Sequence, residues 1–195
     1  MLRPFLMKFS ENPLRRKTTV EAERKIICYI AASLDGYIAT EDDSLEWLFE
    51  VEGESDAGYA EFLKTIDVVV MGRRTYDWVM EAENGKFPHQ DMTRYVFTSS
   101  GVEENEFVKF MDQDIASFAK ALKANPGKDI WVIGGSNLLH GFVKENLIDE
   151  WIISIAPVLI GKGIPLFQEL DFKTHLKLNS VKSYGQFAQL HYERK

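Results

Sequence analysis

Asp67-Val-Val-Val-Met-Gly-Arg-Arg-Thr75 joins an apolar run, a glycine and a helix start in one uninterrupted stretch. The consecutive apolar residues from Val68 to Met71 suit a strand covered on both faces, as in a parallel sheet. Gly72 ends that strand, and Tyr76, Val79 and Met80 mark one face of the helix that follows. A strand that passes through glycine into a helix leaves unpaired backbone N–H groups and a positive dipole end at the sheet edge. Such an edge is suited to phosphate.

The same design recurs downstream. Residues 130–133 read as a strand, Gly134-Gly135 as a tight turn, and Ser136 as the cap of a helix that buries Leu138, Leu139, Phe142 and Val143. If the two strands are neighbours, the two turns together can hold an extended, doubly charged ligand such as a dinucleotide. Arg73, Arg74 and Thr75 would serve a pyrophosphate or a ribose 2′-phosphate, which favours NADPH over NADH. The plainer reading of each piece is a turn glycine and a solvated arginine pair. No G-x-G-x-x-G is present, and Gly161-Lys-Gly163 lacks the remainder of a P-loop.

Around these units the chain alternates strand and helix signals. Residues 25–32 read as a buried strand bounded by the turn Ser33-Leu-Asp-Gly36. Tyr59, Phe62, Leu63 and Ile66 form a helical stripe behind the cap candidates Ser55 and Asp56. Residues 94–98 and 107–111 read as short strands, and Asp114 caps a helix that Asn125-Pro-Gly127 ends. Residues 151–160 form a long strand candidate, and residues 175–181 and 186–192 an antiparallel pair around Tyr184-Gly185. The predicted fold is an α/β three-layer sandwich with a mostly parallel central sheet and an antiparallel C-terminal edge.

Composition narrows the function. The 195 residues, 45% hydrophobic and 27% charged, predict one folded core. No apolar run approaches the roughly 18 residues of a membrane span. A lone cysteine, Cys28, fits a reducing, cytoplasmic setting and cannot build a thiolate metal site. The four histidines have no metal-ligand spacing, so no metal is expected. A net charge of −7 argues against nucleic-acid binding. Residues 1–25 nevertheless carry net +4, and residues 1–24 read as a basic, poorly ordered extension ahead of a domain over 25–195. No nucleophile elbow occurs, and acid–base groups are scarce. Hydride transfer, in which a nicotinamide supplies the reactivity, suits this inventory better than hydrolysis.

Five segments in register carry a resemblance. They are Cys28-Tyr-Ile-Ala-Ala-Ser-Leu-Asp-Gly-Tyr-Ile-Ala39, Trp47, Val69-Val-Met-Gly-Arg-Arg-Thr-Tyr76, Val96-Phe-Thr-Ser-Ser100 and Ile130-Trp-Val-Ile-Gly-Gly-Ser136. In this order they resemble the dihydrofolate reductase superfamily over residues 25–195. The nearest branch is that of stand-alone proteins similar to the C-terminal reductase domain of the bifunctional riboflavin-biosynthesis deaminase/reductase. The resemblance implies a dihydrofolate reductase-like fold, NADPH as cofactor, a small-molecule substrate and a possible homodimer through the C-terminal strands. It also implies site residues: Gly72, Arg73, Arg74 and Thr75 for the cofactor phosphates, and Ser99 and Ser100 for the adenosine 2′-phosphate end. Gly134, Gly135, Ser136, Asn137 and Leu138 would follow the pyrophosphate and nicotinamide ribose, with Ala32 and Trp47 beside the nicotinamide. Substrate would lie between the Asp35 loop, Trp47 and the Asp56 helix.

The implied activity is that of a 5-amino-6-(5-phosphoribosylamino)uracil reductase, with hydride delivered to a C=N or masked aldehyde. No deaminase half is expected here, since P-C-x-x-C does not occur and one cysteine cannot bind its zinc. Two features point instead to a folate reductase: Ile133 stands where riboflavin enzymes carry Glu, and Asp56 aligns with a pterin-binding carboxylate. Asp56 is equally a helix cap, Asp35 a turn residue and Trp47 a core aromatic. A non-catalytic NADP-binding module is the alternative of another class.

Overall fold

β-branched and aliphatic runs build the sheet, and the polar, glycine-containing stretches between them turn the chain. The computed structural model describes residues 23–52, 56, 58–100 and 108–195. Ser55, Phe107 and residues 1–22 of the basic segment lie outside the described residues. The first half comprises β1 (Ile26–Ser33), β2 (Tyr37–Ala39), α1 (Glu46–Phe49), α2 (Tyr59–Leu63), β3 (Ile66–Gly72), α3 (Arg73–Ala82), β4 (Thr93–Phe97) and β5 (Lys109–Met111). The second comprises α4 (Ile115–Lys123), β6 (Asp129–Gly134), α5 (Ser136–Lys144), β7 (Glu150–Ala156), β8 (Ile164–Pro165), β9 (Leu176–Tyr184) and β10 (Phe187–Arg194).

Eight strands form one sheet in the order β5, β4, β3, β6, β1, β7, β10, β9. The first six run parallel, and β10 and β9 add an antiparallel edge. β2 and β8 pair separately. Strand alternation divides β3 between two cores: Val68 and Val70 face α4 and α5, whereas Val69 and Met71 face α2 and α3. Phe118, Leu139 and Phe142 fill the first layer, and Phe62, Tyr76 and Phe87 the second. This is the three-layer, dihydrofolate reductase-like sandwich that the sequence predicted.

Four local departures have physical causes. Ile66 continues the helical stripe in sequence yet begins β3, because the chain turns at Thr65, whose hydroxyl donates to the Phe62 carbonyl at 2.7 Å. The 151–160 run stops as a strand at Ala156, next to Pro157, which has no N–H for a ladder. Ser136 is the first residue of α5, not its cap. Gly135 takes the cap position, and the Ser136 hydroxyl donates to the Pro165 carbonyl at 2.7 Å. Arg24, counted with the basic extension by sequence, is only 6% exposed and pairs with the Asp67 carboxylate. Asp114 does cap α4, accepting from Ser117 N at 2.8 Å.

Candidate functional site

The two glycine turns lie side by side. Met71 at the end of β3 stands opposite Gly134 at the end of β6. A Cβ placed on Gly72 would sit 3.7 Å from Gly135 N, and one on Gly135 would sit 3.2 Å from Thr75 Oγ1. Gly134 has φ +127°, a conformation L side chains rarely adopt, and its peptide bond to Gly135 is cis. From these neighbouring strands α3 leaves towards one face and α5 towards the other. A crevice at the carboxyl ends of the strands follows.

Both helices open towards it without a side-chain cap, α3 behind Gly72 and α5 behind Gly135. Their first N–H groups are therefore available to an anion. Arg73 Nε donates to both Asp77 carboxylate oxygens at 2.7 and 2.9 Å. Arg74 reaches the loop before α1 and pairs with Asp43 at 2.5 Å.

A groove of about 880 Å³ runs along this edge in the order of the strands. Ser99, Ser100, Asp112 and Gln113 line the end beyond β4 and β5. Gly72, Arg73, Arg74 and Thr75 follow beyond β3, and Gly135, Ser136, Asn137 and Leu138 beyond β6. Gln168 fixes the latter group, its Nε2 donating to Asn137 Oδ1 at 2.6 Å and Ser136 Oγ at 3.2 Å.

Tyr29, Tyr59 and Trp131 form an aromatic end. Trp131 Nε1 donates to the Tyr29 carbonyl at 3.0 Å, and the Tyr59 and Trp131 rings meet edge to face at 5.7 Å. The Tyr59 hydroxyl shares a 2.8 Å hydrogen bond with His89 Nε2. Burial pushes the Tyr59 hydroxyl up to about 12 and also raises that of Tyr29. Burial lowers His89, with Asp91 and Glu83 opposing it.

Ten of the residues singled out in the sequence meet in this groove. Five do not line it. Gly134 lies behind the wall, and Ala32 is fully buried in the core while Ile30 and Ala31 take the lining positions. Trp47 is buried as a core aromatic, and its α1 neighbours Leu45 and Leu48 reach the groove. Asp56 accepts from Gly58 N at 3.1 Å and Ala60 N at 2.9 Å, which is a helix-capping role. The Ala60 and Gly58 amides hold its carboxyl below the usual range. Asp35 accepts from Ser33 Oγ at 2.6 Å, Ile160 N at 3.2 Å and Gly161 N at 2.7 Å, clasping two loops together. Its carboxyl is lowered chiefly by the Ser33 hydroxyl.

Sequence reading missed the aromatic end, together with Asp43 and His89. Tyr29 was hidden in an apolar strand run and Tyr59 in a helical stripe, where each reads as core. The usable signal was their hydroxyls: a tyrosine among aliphatics needs a polar outlet.

The fold agrees with known proteins. The RibD C-terminal domain family matches residues 24–190. The protein YwjB of Bacillus subtilis is 49% identical over 173 residues, covering 88% of this chain and 99% of its own. A crystal structure from Shewanella sp. PV-4, provisionally named a riboflavin biosynthesis protein, has a TM-score of 0.79 and 30% identity over 88% of this chain and 99% of that one. Dihydrofolate reductase from Enterococcus faecalis, solved with NADP(H), has a TM-score of 0.59 and 19% identity, covering 88% of this chain and 96% of its own; it shares the fold. With its glycine turns abutting at a switch point of a dihydrofolate reductase-like sheet, this chain belongs to the RibD C-terminal domain family.

Proposed function

We propose that the protein is an NADPH-dependent reductase of the riboflavin-biosynthesis type, acting on a small heterocyclic substrate at the aromatic end of the groove. The observation that carries this reading is the contact between the two glycine turns, a Cβ on Gly72 lying 3.7 Å from Gly135 N and one on Gly135 3.2 Å from Thr75 Oγ1. Two uncapped helix N-termini and two arginines then share one crevice, a donor set suited to a dinucleotide pyrophosphate. The volume is also right, because cofactor sites enclose roughly 300–1,000 Å³. The family match and the NADP(H) carried by the Enterococcus enzyme support the same cofactor class.

Gly72, Arg73, Arg74 and Thr75 would hold phosphate, Ser99 and Ser100 the adenosine end, and Gly135, Ser136, Asn137 and Leu138 the ribose nearer the reaction. A reduced nicotinamide, once bound, supplies hydride for a C=N or masked aldehyde. The chain's part is to align a flat ring and keep water away, which the Tyr29, Tyr59 and Trp131 walls suit. A cytoplasmic setting goes with this reading. So does a homodimer through the C-terminal strands, supported by Leu178 and Val181, which stay 51% and 58% exposed on the edge strand β9.

A folate substrate is the second reading, favoured by Ile133 on the groove wall. The capping role of Asp56 counts against it. Turnover assays with 5-amino-6-(5-phosphoribosylamino)uracil and with dihydrofolate, following NADPH oxidation, separate the two. A chain that binds NADPH and oxidises it with neither is the non-catalytic module. If NADPH at millimolar concentration leaves Tm unchanged, the cofactor assignment itself fails, because a ligand of the native state must stabilise it.

A further inference from the structure

We propose that Tyr59 is the proton donor to the substrate nitrogen and that His89, behind it, positions and reprotonates its hydroxyl. This rests on the reductase reading above and names the residue that completes the reaction. Reduction of C=N needs a proton as well as hydride. Hydride forms the new C–H bond, the π electron pair moves onto nitrogen, and the Tyr59 O–H bond breaks to give N–H and a phenolate. His89 then returns a proton to that oxygen and regains one from solvent. The electrons come from the reduced nicotinamide alone.

Among the described residues the groove offers few other donors at its aromatic end. Tyr29, Tyr59 and Trp131 bring the polar atoms there, and the Trp131 N–H is engaged by the Tyr29 carbonyl. The carboxylates that line the groove, Asp43 and Asp112, belong to the loops at the phosphate side. Asp56 is engaged in capping. Tyr59 reaches the groove from α2 and hydrogen-bonds His89 Nε2 at 2.8 Å, and His89 does not itself line the groove. It is half-buried, on a stretch where its φ is +58°. This arrangement of donor in front and imidazole behind is that of a relay.

The charged and titratable groups facing the pair are Asp91 and Glu83 towards His89 and Tyr29 towards Tyr59. Burial outweighs the two carboxylates, so His89 charges below its ordinary 6.5. A charged His89 makes the Tyr59 hydroxyl a stronger acid. Turnover should therefore rise as pH falls through the His89 titration.

The test uses the full chain with NADPH and the two probes named above. Tyr59→Phe should lower kcat about 100-fold or more, with KM and the NADPH Kd within about threefold of the wild type. His89→Gln keeps a hydrogen bond but has no titratable proton to pass on, so kcat should fall about tenfold and the low-pH rise should vanish. Nitrogen-15 titration of His89 with NADP⁺ bound gives a readout free of turnover. Adding the active probe should move its midpoint in the wild type and not in Tyr59→Phe.

A Tyr59→Phe protein that oxidises NADPH within about threefold of the wild-type kcat overturns the inference and leaves the reductase reading standing. So does a His89→Gln protein that keeps the low-pH rise. NADPH binding without oxidation by either probe overturns the reductase reading and this inference with it.

Discussion

The Arg74 guanidinium and the Asp43 carboxylate stand 2.5 Å apart, and both line the groove. Asp43 has φ +66° in a loop tied by Ser44 N donating to Thr40 Oγ1 at 3.0 Å. The cation proposed to receive phosphate is thus already engaged by a carboxylate. An incoming phosphate competes with Asp43 for it.

Asp43→Asn should tighten NADPH about two- to fivefold at low ionic strength, since an exposed pair of this kind is worth about 0–1 kcal/mol. The gain should fade in molar salt. Calorimetric titration at two salt concentrations measures it, and weaker binding by the variant would contradict the competition.

Replacing Arg73 and Arg74 together by Ala should weaken NADPH about tenfold or more, as expected for losing charge-assisted hydrogen bonds of about 1.5–3 kcal/mol. NADH should lose less. Equal losses for the two nucleotides would remove the arginines from 2′-phosphate recognition.

Gly135 has φ −72°, so alanine there meets no backbone strain and only the Thr75 hydroxyl at 3.2 Å. Gly135→Ala should cost about 1–3 kcal/mol through overpacking. Adding Thr75→Ala should recover part of that loss, a coupling read from a double-mutant cycle of Tm or denaturant midpoints. Gly134→Ala offers no such rescue, because its strain lies in φ.

The Asp35 clasp predicts a pH dependence of stability. Its carboxyl titrates below the ordinary 3.8, so the folded form holds fewer protons than the unfolded chain in the acid range. The contribution is present above pH 3.8 and is lost as pH falls through the lower, folded value. Asp35→Asn should give a lower Tm at neutral pH and a shallower fall between neutrality and strong acid. Parallel melting curves for the two proteins across that range would exclude the clasp as a source of acid sensitivity.

Backbone constraint explains what was legible. Gly72 and Gly134 announced their turns because each directly follows an apolar strand run, and the positive φ of Gly134 restricts residue type locally. Leu138 and Phe142 announced a buried helix face by spacing. Residues whose partners lie far along the chain were opaque: Asp35 reads as a turn residue until Gly161 is brought to it, and Ser136 reads as a cap until Pro165 arrives. Tyr59 and His89 are 30 positions apart, and no local pattern marks such a pair. Trp47 reads equally as ligand contact or core, and its indole is buried.

Adjacent β3 and β6 send their helices to opposite sides, so the cleft is a product of wiring rather than of furnishing. Side-chain exchange can redecorate it but cannot seal it. The two glycine turns are written into the main chain, whereas the Tyr29, Tyr59 and Trp131 end is written in replaceable side chains. Substitutions at the aromatic end would change what the cleft admits while leaving its two turns in place.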